Sequence, residues 1–305
     1  MGVKVARVVA VVGPTCTGKS ELALWLAPKI GGEIVNADSM QVYRHFDIGT
    51  AKPDASVRAA VPHHVIDVAE PDEEFNAARF QKMADDAIRE VWSRGGVPIV
   101  VGGTGLYLRV LFHGLFEVPN DPDLRQRLRL SYLEDPAGLY GELGRVDPEY
   151  ASSISPRDGL RIVRALEVYR LSGVKMSGWQ VRHGFREERY ASLRLGLLRE
   201  RGELYRRIDR RVDLMLERGW VGEVEDLLRR YPPGARPFQG IGYREIVLYL
   251  AGKITYHEMV RKVKTATRHY AKRQFTWFSK EIGIEWSRYP EDREAMYERI
   301  GGFLD

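Results

Sequence analysis

One cysteine, Cys16, stands among 305 residues, so an intrachain disulfide and any cysteine-built zinc module are excluded, and a reducing cytoplasmic compartment is the expectation. Long apolar runs are missing as well. The first apolar run, residues 8–12, is far too short to span a bilayer, and no cleavage pattern follows it, so it reads as a buried strand with no membrane role. Met1-Gly2 lacks the Ser or Thr at position 6 that N-myristoylation requires, since Ala6 stands there. No internal repeat or low-complexity tract interrupts the chain. His63-His64 has no carboxylate or cysteine companion at ligand spacing, which argues against a metal site there. What is present is a chain with 44% apolar residues, ample for a conventional core, and 29% charged residues with a net charge of +5. That mild basic excess permits nucleic-acid binding without requiring it.

Directly after the run at 8–12 comes Gly13-Pro-Thr-Cys-Thr-Gly-Lys-Ser20, which fills the phosphate-loop pattern G-x-x-x-x-G-K-[ST] in its strand-turn-helix setting. Gly13 and Gly18 let the backbone turn N–H groups inward, and Thr15 and Thr17 lie within the loop. Lys19 reaches a terminal phosphate as a point charge, Ser20 is placed to hold a magnesium ion (Mg2+), and the following helix adds positive potential. The bland alternative, a glycine turn with a chance Lys-Ser, fits that setting poorly.

Short apolar runs alternate with helical patterns over the first hundred residues: 8–12, 21–30, 33–36, 76–94 and 97–101. Such alternation predicts an α/β fold, a P-loop NTPase-like parallel sheet flanked by helices. After Pro119 the chain turns to short helical segments punctuated by Pro and Gly, with no strong strand until 193–198. Residues 118–192 are therefore read as an inserted helical domain, with 1–117 and 193–305 forming the core. Helical patterns continue at 203–218, 221–230, 243–250 and 256–281.

A P-loop hydrolase usually ends a second apolar strand in an acid that holds metal and water. Here the strand at 97–101 ends in Gly102-Gly103-Thr104-Gly105, and the acid stands instead at Asp38, after the run at 33–36. An acid at the carboxyl end of a neighbouring strand suits a general base acting beside the bound phosphate ester, which favours group transfer over hydrolysis. Taken alone, Asp38 also fits a turn or helix-capping residue. Two basic clusters accompany these loops. Arg261, Lys264, Arg268 and Lys272 recur at helical spacing near the C-terminus, and Arg157, Arg161, Arg164, Arg170 and Lys175 lie in or beside the insertion. Phosphate contact is one reading and a solvated helix face the other.

Seven blocks, Gly13 to Ser20, Asp38-Ser-Met-Gln-Val-Tyr-Arg44, Asp47-Ile-Gly-Thr-Ala-Lys-Pro53, Val101-Gly-Gly-Thr-Gly-Leu-Tyr107, Arg161 to Glu167, Gly240-Ile-Gly-Tyr-Arg-Glu245 and Ala271-Lys-Arg-Gln-Phe-Thr-Trp277, occur in the order found in tRNA dimethylallyltransferases. The chain resembles that family over nearly its whole length. The resemblance implies transfer of a dimethylallyl group from dimethylallyl diphosphate to N6 of the adenine just 3′ of the anticodon in tRNA, with Mg2+ as cofactor. It implies that Gly13, Thr15, Thr17, Gly18, Lys19 and Ser20 hold the diphosphate, and that Asp38 takes the N6 proton. Thr104 then lies near the bridging oxygen, and Arg207 clamps the diphosphate, with Arg206 and Arg211 as alternatives. It also implies tRNA contacts from Ser39, Met40, Gln41, Arg161, Arg164, Gln239, Gly242, Arg244, Lys272, Arg273, Gln274 and Trp277. Tyr270, Trp277 and Phe278 read more readily as a buried helix stripe than as base-stacking platforms. The chain stops soon after its basic helix without the zinc finger of eukaryotic members, as bacterial members do, and a monomer without an obligate protein partner is expected. The competing readings are a P-loop small-molecule kinase, a transferase that prenylates AMP or ATP, and an RNA-binding protein with a vestigial P-loop.

Overall fold

The computed structural model describes residues 6–115, 118–185 and 187–305; Met1-Gly2 and the expected core boundary at Glu117 lie outside them. It divides into two compact units, one made of 1–112 with 188–305 and the other of 113–187. The expected limits of the insertion, 118 and 192, each fall five residues later than these.

In the first unit the elements run β1 (Arg7–Val12), α1 (Lys19–Ile30), β2 (Gly32–Asn36), α2 (Ala55–Ala60), β3 (His63–His64), α3 (Ala77–Ser93), β4 (Val97–Gly102) and α4 (Gly105–His113). The second unit is all helix: α5 (Pro122–Glu134), α6 (Pro136–Val146), α7 (Pro148–Ser153), α8 (Gly159–Ser172) and α9 (Met176–His183). The chain then returns to the first unit through β5 (Ala191–Leu198), α10 (Arg201–Glu217), α11 (Trp220–Arg230), a 3-10 turn (Arg236–Gln239), α12 (Tyr243–Leu250), α13 (Tyr256–Phe278), β6 (Ile284–Arg288) and α14 (Arg293–Leu304).

Among the described residues, six parallel strands form one sheet in the order β3-β2-β4-β1-β5-β6. The sequence Arg-Val-Val-Ala-Val-Val of β1 has no polar alternation because both its faces are covered, as parallel strands require. Val9, Val11, Ile99, Leu195 and Leu197 from the sheet pack with Leu22 and Leu26 of α1 and Ile300 of α14, all nearly inaccessible. Each such side chain contributes about 1.5–3 kcal/mol relative to exposure. β1 lies between β4 and β5, and β4 lies between β1 and β2. The carboxyl ends of β1, β2 and β4 therefore sit side by side, and ligands bind in such a crevice.

The helical unit shows why its sequence is punctuated. Asp121, Asp135 and Asp147 each precede a proline, and each side chain accepts a hydrogen bond from an N–H of the helix it opens, from Leu124, Gly138 and Tyr150 respectively. Proline fits the first helical position, where its missing donor costs nothing. Asp147, 1% exposed, also accepts from the Ser177 backbone and hydroxyl at 2.9 and 2.8 Å, tying α7 to α9. Leu128, Leu143, Ile162 and Leu166 form the core. Glu167, the last residue of the Arg161 to Glu167 block, is wholly buried and accepts hydrogen bonds from the Asp121 N–H, Arg125 and Arg164 at 2.7–2.8 Å. Burial pushes its carboxyl up, but these donors outweigh burial and hold it below the usual carboxylate range.

Candidate active site

Gly13 and Gly18 of the phosphate loop adopt φ of 130° and 104°, in the region open to glycine. A Cβ on Gly13 would lie 2.9 Å from Leu197 O and one on Gly18 2.5 Å from the Tyr289 ring, so packing as well as turning demands glycine. Inside the loop the buried Thr17 hydroxyl donates to Pro14 O at 2.9 Å. Lys19 folds back to donate to the same oxygen at 2.6 Å. Burial lowers the Lys19 pKa from 10.5 to about 8, with Arg211 pushing the same way and Cys16 and Asp38 opposing. A cation held this way gains most when an anion arrives beside it. Gly18 precedes α1 and has no side chain to cap it, so the first N–H groups of the helix face the loop. The exposed Ser20 hydroxyl makes no hydrogen bond within the described residues.

At the end of β2, Asn36 is buried and its amide donates to Val65 O at 2.9 Å, while its oxygen accepts the Asp38 N–H at 3.2 Å. Asp38 Oδ1 in turn accepts the Met40 and Gln41 N–H groups at 2.8 and 3.4 Å. One oxygen of the carboxylate, Oδ1, is thereby held by backbone. At the end of β4 the Thr104 hydroxyl oxygen accepts the Ser39 N–H at 3.0 Å, which joins the Gly-Thr turn to the acid. Gly102, Gly103 and Gly105 are close-approach glycines: a Cβ on each would lie within 2.3 Å of Ala37 O, the Gln274 amide or the Trp277 ring.

The three strand ends open into a cavity of about 990 Å³ whose lining includes Thr15, Gly18, Lys19, Ser20, Asp38, Gln41, Gly103 and Gln274. Arg207, Arg210 and Arg211 of α10 also line it, and Arg206 does not. Arg207 donates from Nε to Cys16 O at 3.0 Å and from a terminal nitrogen to Glu21 at 2.9 Å, so it is fastened across the phosphate loop. Arg211 approaches the Cys16 sulfur at 3.8 Å.

Residues expected to contact RNA divide into groups. Met40 meets the Gly240 block, where a Cβ on Gly240 would lie 2.6 Å from its methyl carbon. Gln41 donates to Thr50 O at 3.1 Å. Gln239 is exposed, and Arg244, 56% exposed in its side chain, pairs with Glu245. Gly242 has φ of 88° and abuts Trp220, and its N–H is capped by Glu245 at 2.7 Å. On α13, Lys272 and Arg273 are exposed, Trp277 lies under Arg109 at 4.2 Å, and Gln274 is 6% exposed. In the helical unit Arg161 is exposed beside Asp158, whereas Arg164 is fastened to buried Glu167.

Two of the four cations on the basic face of α13 have internal partners. Lys264 pairs with Asp213 at 2.7 Å and Arg268 with Asp209, both acids of α10. Helical spacing alone could not show that α10 packs against this face carrying acids four residues apart. Glu223 escaped the sequence reading, Lys52 entered it only as part of a quoted block, and Tyr270 was read as part of a buried helix stripe. Glu223 of α11 accepts the Asp47, Ile48 and Gly49 N–H groups at 3.0, 2.6 and 3.4 Å and the Tyr243 hydroxyl at 2.7 Å, joining the Asp47 and Gly240 blocks. Lys52, almost fully enclosed, pairs with Asp47 and Asp67 at 2.5 and 2.6 Å. Tyr270 lines the cavity, and burial together with Asp38 keeps its phenol protonated far above the ordinary range, against the Thr104 and Gln274 side chains. The spacing of Tyr270 and Gln274, one helical turn apart, is the one signal that could have found two of the inward-facing residues. His64 pairs with Glu33 at 2.6 Å and His63 with Val61 O, and the described residues hold no cluster of three metal-ligating side chains.

The family model described as IPP transferase matches residues 41–281, and that described as isopentenyl transferase matches 6–63. A tRNA dimethylallyltransferase 2 of Geotalea uraniireducens is 50% identical, covering 98% of this chain and 97% of its own length. A tRNA dimethylallyltransferase of Symbiobacterium thermophilum is 48% identical over 96% of this chain and 93% of its own. The solved tRNA isopentenylpyrophosphate transferase of Bacillus halodurans superposes with a TM-score of 0.73 at 37% identity, covering 98% and 97% of the two chains. A eukaryotic dimethylallyltransferase acting on tRNA superposes with a TM-score of 0.79 at 32% identity, over 96% of this chain and 77% of its own. With the phosphate loop, the Asp38 turn and the Gly-Thr turn gathered at one sheet edge, and with these full-length likenesses, the chain belongs to the IPP transferase family of tRNA dimethylallyltransferases.

Proposed function

We propose that this chain transfers the dimethylallyl group of dimethylallyl diphosphate to N6 of the adenine 3′-adjacent to the anticodon, position 37 of tRNA, releasing diphosphate. The observation that carries this reading is the single cavity lined by both the phosphate loop and a backbone-held carboxylate, Asp38.

In the transfer, the N6 lone pair forms a bond to the allylic C1, the C1–O bond breaks with its electron pair leaving on the diphosphate, and the N6 proton passes to Asp38. Negative charge grows on the diphosphate while positive charge grows on the allyl carbon, so the protein's work is mainly electrostatic. The loop from Gly13 to Ser20, with Thr15 and Thr17, supplies N–H and hydroxyl donors, and Lys19, Arg207 and Arg211 supply cations. Asp38 Oδ1 is occupied by two N–H groups, which leaves Oδ2 as the oxygen for the proton. Thr104 lies between the two sites, one residue from Gly103 on the cavity wall. The unengaged Ser20 hydroxyl at the mouth of the loop fits Mg2+, which takes oxygen ligands from a single side chain plus phosphates and water. When bound there, the ion would add charge neutralisation at the leaving diphosphate.

The acceptor adenine is stacked in the anticodon loop and has to be drawn out to reach Asp38. Ser39, Met40 and Gln41 follow Asp38 in its turn, Met40 meets the Gly240 block that carries Gln239 and Arg244, and exposed Lys272 and Arg273 supply phosphate contacts on α13. Arg161, exposed on the helical unit at 113–187, supports a role for that unit in gripping the anticodon stem-loop. No helix among the described residues is long and apolar enough to cross a membrane, and the reading places the protein with its tRNA in the cytoplasm.

Radiolabelled dimethylallyl diphosphate, with magnesium, is offered to an unmodified anticodon stem-loop and, in parallel, to AMP and ATP. Label on the RNA alone is expected. Label on AMP or ATP alone would make this a nucleotide prenyltransferase, and label on none would return the phosphate loop to a kinase.

A further inference from the structure

The reaction needs two things at a set separation, a diphosphate on the β1 loop and a carboxylate on the β2 turn, and the sheet alone does not fix that separation. The β1–β4 ladder ends at Val12 with Gly102, and the β2–β4 ladder at Asn36 with Val101. Beyond these pairs the β2 and β4 loops are still joined by backbone, Ala37 N–H to Val101 O at 2.8 Å and Thr104 N–H to Ala37 O at 3.4 Å. On the β1 side the bridge is a side chain. Gln274, 6% exposed on the inner side of α13, accepts the Thr15 N–H at 2.8 Å with its oxygen and donates to Gly103 O at 2.8 Å with its nitrogen. Gly103 is glycine because a Cβ there would lie 2.2 Å from that nitrogen.

We propose that Gln274 is a positioning residue that sets the distance between the diphosphate loop and the general base, rather than a contact to RNA. The path is continuous: Thr15 N–H to Gln274, Gln274 to Gly103 O, the next residue Thr104 to the Ser39 N–H at 3.0 Å, and Asp38 immediately before. Both groups that Gln274 joins are backbone, so removing its amide leaves a donor and an acceptor unpaired and lets the loop relax away from the acid. A shift of about 1 Å between reacting groups costs on the order of 10²-fold in rate. Its neighbours Lys272 and Arg273 are exposed, so the same short stretch presents cations outward and the brace inward.

This inference rests on the transfer reaction proposed above, and the test separates the two. Single-turnover transfer to the stem-loop at saturating substrates is measured for the wild type, Gln274→Met and Gln274→Glu, with the affinity of each for the RNA and for inorganic diphosphate. Methionine keeps the length and removes both hydrogen bonds; glutamate keeps the acceptor for Thr15 and loses the donor to Gly103. The expected result is a single-turnover rate lowered on the order of 10²-fold for Gln274→Met with nearly unchanged affinities for both ligands, and for Gln274→Glu a lowered rate with RNA affinity nearly unchanged and diphosphate affinity weakened by the added negative charge. A wild-type rate at saturation accompanied by weakened RNA binding would make Gln274 an RNA contact and overturn the proposal, and so would unchanged rates and affinities in both variants. Should Gln274→Met fail to fold, Gln274→Glu and Gln274→Asn are judged by the same split between rate and RNA affinity. Wild-type protein that labels no RNA at all would sink the reaction itself before any variant is compared.

Discussion

The crevice at the ends of β1, β2 and β4 is assembled largely through backbone groups, whereas the basic side of α13 is assembled through ion pairs between side chains. In the crevice, Asp38, Thr104 and the phosphate loop are each oriented by an N–H or a carbonyl at 2.6–3.0 Å. On α13, two of the four cations at helical spacing, Lys264 and Arg268, are neutralised by Asp213 and Asp209 of α10. A motif whose chemistry depends on backbone shape carries its own geometry. A stripe of charge does not, because a facing helix can cancel it.

The sharpest test of the crevice is its carboxylate. Asp38→Asn keeps the acceptor for the Met40 N–H but removes the base, and turnover should fall by about 10²–10⁴ with RNA binding nearly intact. Equal losses in turnover and binding would make Asp38 a binding group and weaken the contrast between the two regions.

Lys19 comes next. Lys19→Met should abolish measurable affinity for inorganic diphosphate, since a buried cation beside the phosphates is lost. In the wild type that affinity should weaken as pH rises above about 8, where Lys19 loses its proton. The same shift has a stability consequence. Because burial lowers the folded-state pKa from 10.5 to about 8, charged Lys19 opposes folding fully below pH 8, and the opposition fades as pH rises towards 10.5. Lys19→Met should therefore melt above the wild type at pH 7, with the gap closing by pH 10.5. A pH-independent gap would locate the effect in packing.

What could be read without coordinates follows the same division. The strand-loop-helix of β1 to α1, the acid after β2 and the Gly-Thr turn after β4 are local in sequence, so pattern alone placed them. Glu223 and Gln274 were not legible as site-builders, because their partners lie 176 and 259 residues away and no spacing rule connects Gln274 with Thr15. The strand β6 was missed since its residues Ile-Glu-Trp-Ser-Arg are only half-buried and follow a long helix, so nothing marks them as a sheet edge. The Pro punctuation noted in the inserted unit falls at its helix starts, and the capping bonds of the Asp before each proline explain why.

Within that unit Arg161 and Arg164 look alike in sequence and differ in place. Arg164→Ala removes a donor from wholly buried Glu167 and should cost about 1–3 kcal/mol in chemical denaturation. Arg161→Ala should leave stability unchanged and reduce the slope of RNA affinity against salt by about one phosphate contact. Reversed behaviour would mean that Arg164 reaches RNA despite its internal partner.

The smallest effects belong to α13. Lys272→Ala and Arg273→Ala should each lower the salt slope of RNA binding by about one contact. Lys264→Ala should leave that slope as it is and alter stability by less than about 1 kcal/mol, the scale of a partly exposed pair. The comparison is direct, because all three residues sit on one helix and carry one charge each. If Lys264→Ala changes the slope as much as Lys272→Ala does, then Asp213 releases Lys264 when RNA arrives, and the α10–α13 ion pairs are part of how the helix meets its substrate.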